Sequence, residues 1–258
     1  RFESVKLTGF STDSIELYMT RFFRNNTDLV KGLNEKLTES DMLRSLSHIP
    51  VMLMLMCLLW EDQHEGEEKS CQPTLPTTQS ELYTAFMSYL WKKYCLKYES
   101  TENREDFMHN VGKVAFYGLI SEEDKLTFAG ADFDGYFEKG CQVGVLTMER
   151  QRKGMTVSET VTFLHKSFQE YCAGYYLSTL SGNTSTDDFK GAMNKFYSFD
   201  FFLSKFEILK FCCGLLKTDN SDGAIALIQH MIDLYTTCDR KEIHHKLQGR
   251  GQFTRDIV

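Results

Sequence analysis

The chain has 258 residues, 42% of them apolar and 25% charged, with a net charge of −7. A chain of this length buries a sizeable core without disulfide staples, and its 20 Phe and 12 Tyr exclude a disordered polymer. Nucleic-acid binding leaves a footprint of clustered Lys and Arg; the nearest approach here, Glu149-Arg150-Gln151-Arg152-Lys153, is short and reads as an exposed turn.

The spacing predicts helices along most of the chain. Ser11-Thr12-Asp13 is a capping signal, followed by Ile15, Tyr18 and Phe22 at helical intervals. Thr27 is placed to cap a second helix with Val30, Leu33 and Leu37 on one face, although Gly32 inside it costs about 1 kcal/mol relative to Ala. Ser40-Asp41 opens a short third helix, which His48-Ile49-Pro50 ends because the residue before Pro is driven from the α region. Pro50 is then suited to be the first residue of a fourth helix, Val51 to about Gln63, apolar almost all round and therefore enclosed. Its apolar run, Ile49 to Trp60, is short of the roughly 20 residues that cross a membrane, so a soluble chain is expected.

From Glu65 to Pro76 the chain is polar and reads as a linker. Helices follow from about Thr78, with Leu82, Phe86, Tyr89 and Leu90 as the stripe, and from about Asn103 to Leu119. Leu126-Thr127-Phe128 is a strand candidate, and a short helix is expected from Ala131 to Lys139. Val143 to Met148 and Thr160 to Leu164 read as an antiparallel hairpin, followed by a long helix from about His165 to Leu180. Beyond Thr186 the chain is helical again, and Ile225, Ile228, Ile232 and Tyr235 form one stripe. The fold class is mainly α: a helical domain, a winged-helix domain with a small β-hairpin, and a second helical domain, divided at 1–66, 67–182 and 183–258.

The eight Cys are Cys57, Cys71, Cys95, Cys141, Cys172, Cys212, Cys213 and Cys238, with no Cys-x-x-Cys pair. Cys172 and Cys212 stand in apolar runs, where a thiol acts as a small hydrophobe, and a reducing, cytoplasmic setting is expected. No metal site is expected: His244-His245 are adjacent and diverge, His64 and Cys71 fall in the polar linker, Cys212-Cys213 is a vicinal pair, and zinc needs four convergent ligands. Nor is a nucleophilic pair visible, since Cys172 and His165 would lie roughly 10 Å apart along a helix.

Several stretches in order resemble the nucleotide-binding module of NOD-like receptors, the NACHT or STAND signalling ATPases. Val5 to Ser11 with Tyr18 and Phe22-Phe23 resembles the segment joining a NACHT core to its first helical domain. His48 to Cys57 resembles that domain's Pro-containing helix, and Leu75-Pro76-Thr77 with Glu81-Leu82-Tyr83 and Phe86 resembles the lead-in to the winged helix. Most specific is Phe163-Leu164-His165-Lys166-Ser167-Phe168-Gln169-Glu170-Tyr171, continuing to Ala173 and Tyr175-Tyr176-Leu177, which closely resembles the strand–His–helix motif. Leu209, Phe211 and Gly214-Leu215-Leu216 resemble part of the second helical domain. The chain departs from the pattern in having no G-x-x-x-x-G-K-[ST] phosphate loop; Gly112-Lys113 lacks both the earlier Gly and the following hydroxyl. With Arg1 as first residue, the phosphate loop and the acidic metal-binding strand are expected upstream, in the remainder of a larger protein.

The resemblance implies that His165 contacts the β-phosphate of bound ADP and that Pro50 packs against its adenine. A lone His at a strand-to-helix junction is otherwise a cap or core-edge residue, and Pro50 is otherwise a helix starter. The implied role is the regulatory half of an innate immune receptor: an ADP/ATP-controlled switch for autoinhibition and oligomerisation, not an enzyme by itself. Nucleotide would be shared with the upstream core, and the partners would be that core, a downstream sensor domain and further copies of the chain. A winged-helix nucleic-acid binder and an interaction scaffold without nucleotide control are the alternatives.

Overall fold

The computed structural model describes residues 9–65, 74–153, 156–182, 184, 186–216 and 221–237. Val5 to Thr8, most of the expected linker, Cys71, Cys238 and His244-His245 lie outside them. The chain is mainly helical, with one two-stranded antiparallel sheet. It divides into two compact units, Arg1–Glu102 with Gln142–Val145, and Asn103–Cys141 with Leu146–Val258.

In the first unit, α1 (Thr12–Phe22) starts at Ser11, whose hydroxyl accepts the Ser14 N–H, and buries Ile15 and Met19. The cap of α2 (Thr27–Glu39) is Asn26 rather than Thr27: its Oδ1 accepts from the N–H groups of Asp28 and Leu29, and a cap at 27 would sit one residue too late to serve both. Ser40 caps α3 (Asp41–Ser47). Pro50 begins α4 (Pro50–Glu65), where its lack of an N–H leaves nothing unsatisfied, and Ile49 O takes the N–H groups of Met52 and Leu53 at 3.0 Å each. This helix is enclosed as expected, with Met52, Leu53, Leu55, Met56, Cys57, Leu59 and Trp60 all buried. Gly32 has its reason here. A Cβ at 32 would stand 2.9 Å from the Trp60 ring, whose Nε1 donates to Leu29 O at 3.1 Å. The helix α5 (Gln79–Tyr98) opens with a complete capping box, Thr78 and Glu81 each satisfying the other's backbone. Its buried stripe runs through Leu82, Tyr83, Phe86, Met87, Trp91 and Tyr94; the expected Tyr89 and Leu90 are only half-buried, because the core face is rotated toward Tyr83 and Met87.

The second unit is built around one helix. After α6 (Arg104–Leu119), the expected helix from Ala131 to Lys139 is divided into a 3₁₀ turn (Gly130–Phe133) and α7 (Phe137–Val143). Asp134 and Gly135, both at positive φ, break it. The hairpin is β1 (Leu146–Lys153) with β2 (Thr156–Phe163), in register from Leu146 opposite Phe163 to Lys153 opposite Thr156. It is longer than expected because the charged run from Glu149 to Lys153 stays in the ladder instead of turning. Leu126 to Phe128 contributes only a single bridge, Phe128 to Val161. Then come α8 (Lys166–Ser181), α9 (Asp187–Met193), α10 (Phe199–Ser204), α11 (Phe206–Leu215) and α12 (Ser221–Thr237). In α12 the stripe read from sequence is the exposed one: Ile225, Ile228, Ile232 and Tyr235 are 61%, 53%, 43% and 41% exposed. The helix is apolar on two sides, and Gly223 and Leu227 take the inner one.

Helix α8 is flanked by α6 and α11 at backbone contact distance. A Cβ on Gly112 of α6 would lie 2.5 Å from Cys172 O, and one on Gly174 of α8 would lie 2.6 Å from Phe211 Cβ and 2.9 Å from both Ile208 O and Cys212 N. Helical Gly→Ala ordinarily stabilises by about 1 kcal/mol. Gly174→Ala should reverse that sign and destabilise by about 1–3 kcal/mol through overpacking, since the obstructing atoms include backbone. Gly191→Ala in α9, where nothing lies within 4 Å, is the control and should be neutral or stabilising. Urea unfolding followed by far-ultraviolet circular dichroism measures both; equal effects from the two variants would refute the close crossing.

Candidate functional site

His165 is the N-cap of α8. Strand β2 ends at Phe163, and Val161 and Phe163 are buried as alternation requires. Leu164 and His165 leave the ladder, but His165 keeps extended backbone (φ −155°, ψ 152°) while its carbonyl takes the Phe168 N–H at 2.9 Å. Its ring does what Ser or Asp does at other caps: Nδ1 accepts the Ser167 N–H at 3.3 Å and sits 2.7 Å from Ser167 Oγ. A nitrogen that accepts from a backbone N–H carries a lone pair, so the neutral ring holds its proton on Nε2. Burial pushes the His165 pKa below the ordinary value, which favours that neutral form. Among the described residues no hydrogen bond occupies Nε2. The side chain thus presents a single N–H donor at the positive end of a 16-residue helix, an arrangement suited to an anion.

Lys166, the next residue, is held by Asp124 at 2.7 Å. Pro50 belongs to the first unit and His165 to the second, and the ring of Pro50 is exposed at the start of α4. Two residues before it, His48 forms a two-bond clip: its carbonyl accepts the Phe10 N–H at 2.8 Å, and Phe10 O lies 2.6 Å from its Nδ1. In the sequence His48 stood within a helix break and at the start of the Pro-containing stretch, with no contact of its own assigned. Gly9, at φ +75° against the His48 carbonyl, was the available signal.

Met52 and Met56 of α4 are core residues, and the Tyr83 hydroxyl donates to Met52 Sδ at 3.3 Å. His64 is helical rather than in the linker, with Nδ1 2.7 Å from Trp60 O. Cys172 is wholly buried and its thiol is pushed up to about 12 by burial, which withholds the thiolate a nucleophile needs. Among the described residues no cluster of His, Cys, Asp and Glu is placed to hold a metal ion, and no single helix is long and apolar enough to cross a membrane.

No family model matches the chain. It is 25% identical over 266 residues to the NLR family CARD domain-containing protein 4 of Rattus norvegicus, an alignment taking in 98% of this chain and 23% of that protein. The protein of the same name from Mus musculus is 25% identical over 245 residues, 89% of this chain and 21% of the relative. The similarity to these two NLR family proteins is distant. The chain spans less than a quarter of the length of the curated relatives it matches.

The protonation state of His165 is open to direct measurement. Nitrogen-15 spectra of the imidazole should show the Nε2–H tautomer and a titration midpoint below the ordinary histidine value. Because the folded-state pKa is depressed, the cap contributes its stability above the unfolded value and loses it as pH falls through the folded one. A ring protonated on Nδ1 at neutral pH would overturn the assignment.

Proposed function

We propose that this chain is the regulatory half of a NOD-like receptor's nucleotide-binding module, and that His165 is its nucleotide sensor. The observation that carries the reading is the fixed Nε2–H donor of His165 at the α8 N-terminus. A β-phosphate oxygen of ADP is the acceptor such a donor suits: anionic, compact, and favoured by the helix dipole. The order of matching motifs from Pro50 to Gly214 supports it, as does the distant similarity to NOD-like receptor proteins over nearly the whole chain. In this reading residues 1–66 are the first helical domain, 67–182 the winged helix and 183–258 the second helical domain.

ADP or ATP would be held mainly by an upstream core carrying the phosphate loop. His165 would add one charge-assisted hydrogen bond, and the exposed ring of Pro50 an apolar contact to the base. Loss of those contacts would free this half to turn as a body and expose an oligomerising surface to further copies. The partners would be the upstream core and a downstream sensor domain, the setting the cytoplasm, and the chain alone would catalyse nothing. The nucleic-acid alternative is weakened by the acidic charge and by Arg150, which Glu159 engages at 2.9 Å on the hairpin.

Two substitutions in the full-length protein separate the cap from the sensor. His165→Ala removes both, whereas His165→Asn keeps a strong N-cap but, with its shorter side chain, places no donor at the position of Nε2. Losing a hydrogen bond to a charged phosphate costs about 1.5–3 kcal/mol, so both variants should release ADP roughly ten- to a hundred-fold faster and shift toward oligomers on size exclusion. His165→Asn should retain wild-type helicity and melting temperature. A folded His165→Asn protein that stays monomeric and holds ADP as wild type does would leave His165 a cap and nothing more.

A further inference from the structure

A charge network that the nucleotide reading does not use lies one turn further along α8. Asp124, in the loop after α6, accepts from Lys166 at 2.7 Å and from Lys205 at 2.6 Å. Lys205 stands at the α10–α11 corner, is only 9% exposed, and lies 5.0 Å from the Phe201 ring centroid. One carboxylate therefore ties the N-terminus of α8 to a corner that lies 81 residues from that carboxylate in sequence. Burial pushes the Asp124 pKa up, but the hydrogen bonds from both lysines outweigh it and hold the group below the ordinary carboxylate value.

Glu170 stands beside this tie without a comparable partner. It lines a small cavity of about 40 Å³ together with Asp124, Lys166, Lys205 and Glu207. Its only ion pair among the described residues is a long one, 3.8 Å to Lys166 Nζ, which Asp124 already holds. The charges around it nearly cancel. Lys166 on its own helix and Lys210 on α11 favour its ionisation; Glu207 on α11 and Asp124 in the loop oppose it. Lys205 at the corner is committed to Asp124, and Lys210 to Glu207 at 2.8 Å. From α6 the cavity receives only Leu119.

We propose that Glu170 is a proton-binding site that latches the α10–α11 corner onto α8, seated when the carboxyl is neutral and loosened when it ionises. A neutral Glu170 leaves Lys166 and Lys205 to Asp124. An ionised Glu170 competes for Lys166 and sets a third carboxylate near Glu207 and Asp124 across the same cavity. Burial first, then Glu207 and Asp124, raise its pKa from the usual carboxylate value to about 7, so the exchange falls in the physiological range. The sign follows from linkage. A folded-state pKa above the unfolded one means that the seated form binds the extra proton, so seating weakens as pH rises from about 4.5 to 7 and is weakest above that. This inference is independent of nucleotide and of His165.

The test uses the 258-residue chain. Amide hydrogen exchange, corrected for its intrinsic pH dependence, is compared at pH 6 and pH 8 for wild type, Glu170→Gln and Glu207→Gln. In the wild type, exchange across α10 and α11 should rise with pH relative to α9, by up to about ten-fold in the local opening equilibrium between pH 6 and pH 8. Glu170→Gln should abolish the difference and hold the pH 6 pattern at pH 8, while Glu207→Gln should move the transition to lower pH. Carbon-13 titration of the wild-type Glu170 carboxyl should give a midpoint near 7, a readout that needs no variant. A midpoint in the ordinary glutamate range overturns the proposal, as does a Glu170→Gln chain that opens more than wild type at both pH values. A pH response spread evenly over the whole unit would also overturn it.

Discussion

The second unit depends on α8 being approached at backbone distance from both sides. Two glycines permit this, one on the neighbour and one on α8 itself: Gly112 faces the Cys172 carbonyl, and Gly174 faces the backbone of α11. Large aromatics fill the space around the crossings, with Tyr171 edge-on to Phe211 at 5.5 Å and Phe116 5.7 Å from Tyr176. A helix held so closely cannot slide or roll independently. Its N-terminus is therefore a fixed point, and His165, Lys166 and Glu170, all within its first turns, inherit that position.

At that fixed point two kinds of polar chemistry sit side by side and do opposite things. His165 is neutral and spends one nitrogen on its own helix, which leaves the other directional and free of competing charge. One residue on, Lys166 belongs to a network of three acids and three bases, Asp124, Glu170, Glu207, Lys166, Lys205 and Lys210, whose balance depends on a single proton. A fixed donor suits recognition of one ligand atom. A nearly cancelled charge cluster suits response to conditions, because small changes tip it.

Most of the helices were legible in the sequence because their signals are local. Ser11, Ser40, Thr78 and Pro50 all stand at helix starts as read, and cap chemistry needs only a few neighbouring residues. The readings that failed turned on tertiary choice or on a local break in the backbone. Helix α12 is apolar on two sides, and periodicity alone could not say that Leu227 faces inward and Ile225 outward. Between Ala131 and Lys139 the pattern was helical, yet Asp134-Gly135 outweighed it. For the candidate site, His165 could be found by its motif, but the tautomer could not, since it depends on which nitrogen meets the Ser167 N–H. The Asp124–Lys205 tie was invisible, because nothing in a sequence announces a pair 81 residues apart.

The two-unit division has a spectroscopic consequence. Both tryptophans, Trp60 and Trp91, are buried in the first unit, one over Gly32 and the other beside Tyr94. Indole emission therefore watches only the region of α1 to α5. The unit that carries His165 and Glu170 has tyrosine and phenylalanine as its aromatic reporters, and it could loosen while the tryptophan spectrum held steady. A melting curve followed by intrinsic fluorescence alone would be the autobiography of one half of the molecule.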